Sequence, residues 1–414
     1  MIDRIAGRWL ACLLMASAGP CVAAEPLTLA RALERVAASN PSLAAEAAQA
    51  DSVRARAERQ ALAPPFTLGA EIENFAGTGE LNGFDSAEST VQLSRVIELG
   101  GKRSGRRALG EAVIAQADHA RTIAQLDAFS LTTQRFAEVV ADQERLALAT
   151  ERVELAGRTR QEVERVVRGA RNPETDLRAA EIALVEAELE LEHAEHELRA
   201  ARVTLASTWG ARQADFDRAV LPLDQLTEPE SFDAVVSRLP GSSALHALNL
   251  EAEATSAREQ LAAAESRPDL TLSLGVRRLE AFGDQGLVMA MSLPLGTASR
   301  ARLSQLEARA DSTSLAHRRE AVAIDHYQQL FEHYQELGHA RTEFQALTQS
   351  MIPKAQQALT LATRGFELGR FPFISLAQAQ ETVFELRRRR IDAALRYHTL
   401  FAVMQRQVAA AEAP

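Results

Sequence analysis

LRAAEIALVEAELELEHAEHELRAARVTLAST, residues 177–208, sets leucine at every seventh position: Leu177, Leu184, Leu191, Leu198 and Leu205. Three residues after each stands a small side chain: Ala180, Ala187, Ala194, Ala201 and Thr208. Seven-residue spacing keeps one seam turned toward a neighbouring helix and imposes a left-handed supercoil. Alanine on the second seam position lets that neighbour approach closely. The stretch reads as the return arm of a long helical pair. The outgoing arm precedes it, because residues 102–172 contain no proline. A helix of about 65 residues there would run roughly 100 Å at 1.5 Å per residue. No globular core needs that length.

The same layout returns further on. Pro41, Pro65 and Pro173 recur as Pro240, Pro268 and Pro372, at separations of 199, 203 and 199 residues. A unit repeating at this length is a duplicated domain and not a short solenoid repeat. The second outgoing helix fills the proline-free residues 295–352, with Leu330, Leu337, Phe344 and Met351 at heptad spacing. Pro353 is expected to kink it, since proline removes a backbone donor and clashes one turn back. The second return helix is looser, running Leu376, Ala379, Val383, Leu386, Arg390, Ala393, Tyr397, Leu400. Each pair reverses at a glycine and a proline, in Gly169-Ala170-Arg171-Asn172-Pro173 and in Gly369-Arg370-Phe371-Pro372. Glycine should close one helix in a left-handed conformation and proline open the next, so the two tips should be built alike. The expected division is residues 25–210, a connector at 211–231 with Pro222 and Pro229, residues 232–408, and a disordered tail at 409–414. Within the two repeats, β-hairpins are expected near 66–97 and 270–295, and helical hairpins near 102–209 and 298–408.

The strand candidates alternate with period two, which puts the two sets on opposite faces of a sheet. Phe66, Leu68, Ala70 and Ile72 share one face, and Thr67, Gly69, Glu71 and Glu73 the other. Leu270, Leu272, Leu274 and Val276 oppose Thr271, Ser273, Gly275 and Arg277. Leu287, Met289, Met291 and Leu293 alternate with Val288, Ala290 and Ser292. Thr90–Ile97 is a weaker strand, its Val91, Leu93 and Ile97 interrupted by Arg95. Four strands cannot seal a membrane alone, because spanning barrels are closed and start at about 8 strands. Either the hairpins are soluble with one buried face, or the chain assembles with copies of itself.

Arg4 and Arg8 precede an apolar run from Trp9 to Ala18, and Val22-Ala23-Ala24 forms a small-residue cleavage site. Residues 1–24 read as a secretory signal peptide. Cys21 raises a lipoprotein alternative, but Ala18-Gly19-Pro20 fits a lipobox badly. Both cysteines, Cys12 and Cys21, lie in that leader, so the mature chain would have no disulfide and no thiolate site. The whole chain has 46 Lys and Arg against 56 Asp and Glu, a charge of −10. The leader removes two cations and one anion, leaving −11. An acidic balance argues against nucleic acid as a partner. No later stretch approaches 18 apolar residues, so any membrane role must use strands.

Together these residues resemble the TolC-like outer-membrane efflux family. The likeness covers nearly the whole mature chain, from Leu27-Thr-Leu-Ala-Arg-Ala-Leu33 and Asn40-Pro41-Ser-Leu43 to the Gly-containing tips. Ile97-Glu-Leu-Gly100-Gly101-Lys102-Arg103 is similar to the strand-to-helix motif of the CzcC-like heavy-metal subgroup. The resemblance implies a mainly α fold with a small β part. It implies a homotrimer whose long hairpins form a helical barrel and whose strands form a 12-stranded outer-membrane barrel. It also implies a periplasmic adaptor and an inner-membrane RND-type pump as partners, with lipid around the strands and no cofactor. Thr67, Glu71, Glu73, Thr271 and Ser273 would line the barrel lumen, and the tips named above would meet the adaptor. Where many members place acidic residues near the closed tunnel end, copy two has Ser375 and Gln378, and copy one Glu174 and Asp176.

Other motifs admit plainer readings. Gly100-Gly101 needs only a turn out of a strand. It is not a phosphate loop, because Val96 stands where the first glycine would be and Arg103 follows Lys102. His193 and His196 could share a metal at their spacing, but with Leu191 and Ala194 on the seam they should face solvent. His326, His333 and His339 are read the same way. Arg387–Arg390 is expected on a solvated face, with pairing to acidic neighbours as the alternative. No Gly-x-Ser-x-Gly or His-Glu-x-x-His appears, so no enzyme is expected. The expected function is the exit duct of a tripartite efflux system for divalent heavy metals such as cobalt, zinc or cadmium. The alternatives are a duct for drugs or type I protein secretion and, from another class, a periplasmic coiled-coil scaffold or adaptor.

Overall fold

The computed structural model describes residues 26–410, so the expected leader and the last four residues lie outside the described part. The chain opens with β1 (Leu27–Thr28), α1 (Leu29–Ser39) and α2 (Pro41–Gln60). Asn40 divides the two helices: its side chain accepts from the backbone N–H of Ser42 and Leu43, while Pro41 supplies a first-turn residue that needs no donor. Next come β2 (Phe66–Glu73), β3 (Glu88–Ile97), α3 (Lys102–Arg168) and α4 (Glu174–Ser207). After β4 (Ala219–Val220) and α5 (Phe232–Val236), the order repeats: α6 (Ser243–Ala264), β5 (Leu270–Leu279), β6 (Asp284–Ser292), α7 (Thr297–Ala346), α8 (Ile352–Glu367) and α9 (Phe373–Gln407). α3 alone has 67 residues, about 100 Å of helix.

On α4 the alanines of the heptad are covered along its whole length. Ala180, Ala187, Ala194 and Ala201 are buried against α3, and of the leucines only Leu198 and Leu205 are fully covered. Small side chains let the two backbones close, and the larger ones flank the contact. The axis defect expected at Pro353 takes the form of a π-helical turn, Leu347–Met351, placed just before it. Proline cannot donate to the carbonyl one turn back, and the widened turn absorbs the mismatch.

The residues between α4 and α5 are less irregular than expected. β4 pairs in parallel with β1, Leu27 opposite Ala219. The Gln143 side chain closes a two-way bond with the Ala219 backbone, at 2.9 Å in each direction. The Tyr397 hydroxyl donates to the Thr227 carbonyl, and the His398 Nε2–H donates to Leu223 at 3.0 Å. This belt wraps a core of Phe136, Val139, Leu205, Trp209, Phe216 and Leu223 at the waist of the helices. The tail expected to be disordered is partly ordered: the Ser243 N–H donates to Ala409 at 2.9 Å, and Ala410 bridges to Ser242.

The four longer strands form one antiparallel sheet in the order β2-β3-β5-β6. β3 is as well formed as its neighbours, running ten residues from Glu88. Arg95 does not interrupt it, because its guanidinium lies over the Phe66 ring, 4.6 Å from the centroid.

Candidate functional site

The register sorts the sheet into two chemically distinct faces. Phe66 stands opposite Arg95, Leu68 opposite Leu93, and Ala70 opposite Val91. Leu93 and Val91 stand in turn opposite Leu274 and Val276, which meet Met289 and Leu287. This face is exposed and almost wholly apolar. Thr67, Glu71, Glu73, Thr271 and Ser273 all fall on the other face, beside Ser94, Gln92, Thr90 and Glu88. Arg277 lies among them. It donates to Glu88 at 2.8 Å, to Thr90 at 2.9 Å and to Glu73 at 3.2 Å. The polar face thus carries Glu71, Glu73, Glu88 and Asp284 toward its free end, with Arg277 bridging two of the four.

At the other end the sheet runs into the helices through Gly100-Gly101. Both glycines have left-handed backbones, with φ of +82° and +78°. A Cβ on Gly100 would lie 2.9 Å from the Ala264 carbonyl at the end of α6, so the close approach itself excludes any other residue. Lys102 pairs with Asp269 at 2.7 Å, tying the first copy's helix to the second copy's strand. Arg106 holds Glu98 with two bonds, at 2.5 and 2.8 Å. It also donates to the Gln60 carbonyl at 2.5 Å, while Arg103 donates to Ala61 at 3.0 Å. These arginines satisfy the last carbonyls of α2. Glu98 strengthens the hold of the Arg106 guanidinium on its proton. The Gly-Gly-Lys-Arg motif is a joint between strands and helices.

At the far end of the helices the two tips meet. Both close as Schellman turns. In the second, Arg370 N–H donates to Gly365 at 2.8 Å and Gly369 N–H to Phe366 at 2.9 Å, with Gly369 at φ +68°. In the first, Arg171 N–H donates to Val166 at 3.2 Å and Ala170 N–H to Val167 at 2.9 Å. The left-handed residue there is Ala170, at φ +55°. Gly169 has φ −77°, so the expectation that it supplies the left-handed turn is corrected. The first loop has one more residue between glycine and proline, and the turn shifts by that residue. Arg171 reaches across to the second tip, where its Nη2 would lie 3.5 Å from a Cβ on Gly369. Asn172 donates to Asp176 at 2.8 Å. Pro173 and Pro372 are the residues just before α4 and α9. The Phe371 ring covers Gly365.

Between tip and waist, a groove of 760 Å³ separates α3 and α4 from α9, lined by Arg145, Arg152, His193, Glu381, Phe384 and Asp392 among others. Ion pairs cross it. Arg152 bridges Glu190 of its own hairpin and Glu381 of the other, the latter at 2.6 Å. Arg145 bridges Asp142 and Asp392, both at 2.6 Å. Burial pushes the Asp142 carboxyl up, and the Arg145 guanidinium beside it pulls the other way. Burial likewise raises Glu144. The arginine run is engaged and not simply solvated: Arg387 holds Glu151 at 2.5 Å and lowers its pKa, Arg388 pairs with Glu385, and Arg389 with Glu343. This is the alternative read from the sequence, pairing with acidic neighbours; Glu151 and Glu343 lie 236 and 46 residues away along the chain.

His193 and His196 do not converge. His193 faces Glu197 at 3.2 Å and His196 faces Glu192 at 3.4 Å, each within its own helical turn. Among the described residues no three His, Cys, Asp or Glu side chains are grouped to hold a metal. His333 bonds Gln407 at 3.1 Å.

The family model for outer membrane efflux proteins matches residues 32–211. The cobalt-zinc-cadmium resistance protein CzcC of Cupriavidus metallidurans is 30% identical over 377 residues, which span 89% of this chain and 86% of that one. The chain belongs to the outer membrane efflux protein family. The fold agrees with solved structures: CusC matches with a TM-score of 0.79 at 13% identity, covering 92% of each chain. The outer membrane protein VceC of Vibrio cholerae matches at 0.76 and 17%, covering 92% of this chain and 96% of that one. The protein is therefore an outer-membrane efflux channel of the tripartite kind, extending into the periplasm and working with an adaptor and an inner-membrane pump. Such channels are not enzymes.

Proposed function

We propose that three copies of the chain close their sheets into one barrel and their hairpins into one tunnel, and that the duct exports divalent heavy-metal cations. The observation that carries the assembly is the sheet. Its apolar face is uncovered, and β2 and β6 are edge strands with no partner among the described residues. Because every pairing is antiparallel, β6 of one copy can run antiparallel to β2 of the next. Four strands from each of three copies exceed the roughly 8 that a closed barrel needs. On α4, Ile182, Val185 and Leu189 are exposed along one stripe, which a neighbouring hairpin would cover. Likeness to a cobalt-zinc-cadmium resistance protein supports the cargo. So do Glu71, Glu73, Glu88 and Asp284, which favour cations on the lumenal face. Such a path must not hold its ions tightly, and the separated His193 and His196 suit that. The tips, at Gly169, Arg171, Asn172, Pro173, Gly369, Arg370, Phe371 and Pro372, would receive the adaptor.

The experiment has two arms. Native mass measurement in detergent should give a trimer, and a stable folded monomer would refute the assembly. Leu274→Arg, on the lipid face, should cost about 2–4 kcal/mol near the midplane, whereas Ser273→Arg on the lumenal face should be tolerated. Deleting the gene should sensitise cells to zinc, cobalt or cadmium. Unchanged metal tolerance with lost drug tolerance or lost secretion would move the cargo to the other class of duct.

A further inference from the structure

The apolar face of the sheet carries two arginines, and only one has a counter-ion. Arg278, toward the free end, donates to Glu280 at 2.7 and 3.1 Å. Arg95, toward the helices, forms no ion pair among the described residues and rests on Phe66. No other residue of this sheet can neutralise it, because no Asp or Glu stands on this face in any of the four strands. Assembly does not help: β6 of a neighbouring copy would bring Leu287, Met289 and Met291 to this face. The two carboxylates of the joint below are engaged, Glu98 by Arg106 and Asp269 by Lys102.

Position explains what can reach it. Arg278 stands opposite Ser89, so the two arginines lie six residues apart along β3, about 20 Å at 3.3 Å per residue. An outward apolar band is about 25 Å tall, so each guanidinium lies within a side chain's reach of a headgroup layer. Arg95 is two residues from the strand end at Ile97, about 7 Å. Leu62, Leu99, Leu293 and Leu295 are exposed just beyond that end and suit the acyl boundary. Ring and guanidinium together leave the fork of N–H donors free to grip a tetrahedral anion.

We propose that Arg95, held over Phe66, binds the phosphodiester of a phospholipid headgroup in the periplasmic leaflet and so fixes the depth of the barrel on that side. The proposal rests on the reading that the apolar face meets lipid. The test uses the full-length assembly in detergent, titrated with phosphatidylglycerol and followed by native mass spectrometry. One cation near a membrane surface is worth about fivefold in affinity, so Arg95→Gln should lose about fivefold in retained lipid per chain. Phe66→Leu keeps the charge and removes the platform, and should fall between Arg95→Gln and the parent. Arg278→Gln should match the parent. Inorganic phosphate at the lipid's concentration should displace nothing. Parental lipid retention in an assembled Arg95→Gln variant overturns the proposal, as does displacement by inorganic phosphate. If Arg95→Gln does not assemble, Phe66→Leu decides, and unchanged retention there overturns it. Failure of the underlying reading looks different: the parent protein itself would form no trimer, or Ser273→Arg would be the disruptive charge.

Discussion

At the waist, α3, α4 and α9 bury Phe136, Leu205, Trp209, Ile391 and the connector's Leu223, and Arg145 and Arg387 tie one hairpin to the other. At the tips the same hairpins share a small cluster, Val163, Ala180, Ala362, Phe366, Phe373 and Leu376, and one arginine laid across a glycine. The difference teaches where the molecule can move. Local opening costs least where buried apolar contacts are few. A hairpin end built this way can part without disturbing the belt that holds the rest. The ties at Arg152 and at Gln380–Thr159, 2.9 Å, mark the step between the two regimes.

The largest effect should come from the waist. Arg145→Ala leaves Asp142 buried without its partner and unties α9. Breaking a buried pair from one side costs several kcal/mol, here about 3 because Arg145 is partly exposed. Arg171→Ala at the tip should cost less than about 0.5 kcal/mol, as exposed contacts do. Denaturant midpoints of the two variants would check this. Equal losses would erase the contrast between waist and tip.

Acid should act on the waist too. His398 lies half-buried with its Nε2–H on the Leu223 carbonyl, and this partial burial lowers its pKa. The unfolded chain therefore binds the proton more readily than the folded one. The stability this histidine contributes is full above its unfolded pKa and is lost as pH falls through the ordinary histidine range toward the lower folded value. Protease cleavage in the connector at 211–231 should quicken over that window, and His398→Gln should flatten the response. A response unchanged in that variant would place the acid-sensitive group elsewhere.

Much of this was legible in the sequence for a physical reason. Period-two alternation in Leu270–Val276 and seven-residue spacing in Leu177–Leu205 are local patterns, and each fixes a face without knowledge of the partner. Proline-free runs gave the helix lengths. What stayed hidden needs the third dimension. Arg277 could be placed on the polar face, but not joined to Glu73 and Glu88, some two hundred residues away. For the arginine run, pairing with acidic neighbours was only the alternative reading, because its partners Glu151 and Glu343 lie on other helices. Arg95 looked like a flaw in a strand until the register set Phe66 beside it. The connector's strand, β4, is two residues long and carries no periodicity to read.

The two tips should answer substitution at their left-handed residues with opposite signs. Gly369→Ala puts a Cβ on a backbone at φ +68° and should cost about 1–2 kcal/mol locally. Ala170→Gly removes that same strain from the first tip and should return about 1 kcal/mol. Hydrogen exchange at Arg370 and Arg171, whose N–H groups close the two turns, would read both changes. Opposite signs at the two tips are the expected result. The same sign would mean that Ala170 is not strained.

The smallest effect should be at Gly169, and it separates two roles that the sequence had merged. Its backbone is near-helical, φ −77° and ψ 7°, and a Cβ there would meet the carbonyls of Val166 and Arg165 at an ordinary 3.4 and 3.6 Å. Nothing in the fold requires glycine. Gly169→Ala should be neutral or add about 0.5 kcal/mol by narrowing the unfolded ensemble. If efflux also stays intact, the first tip docks through Arg171 and Asn172. If the variant folds, assembles and still fails to export, the residue is kept small for a partner's backbone passing over it. The export assay then reports a docking contact that stability measurements cannot see.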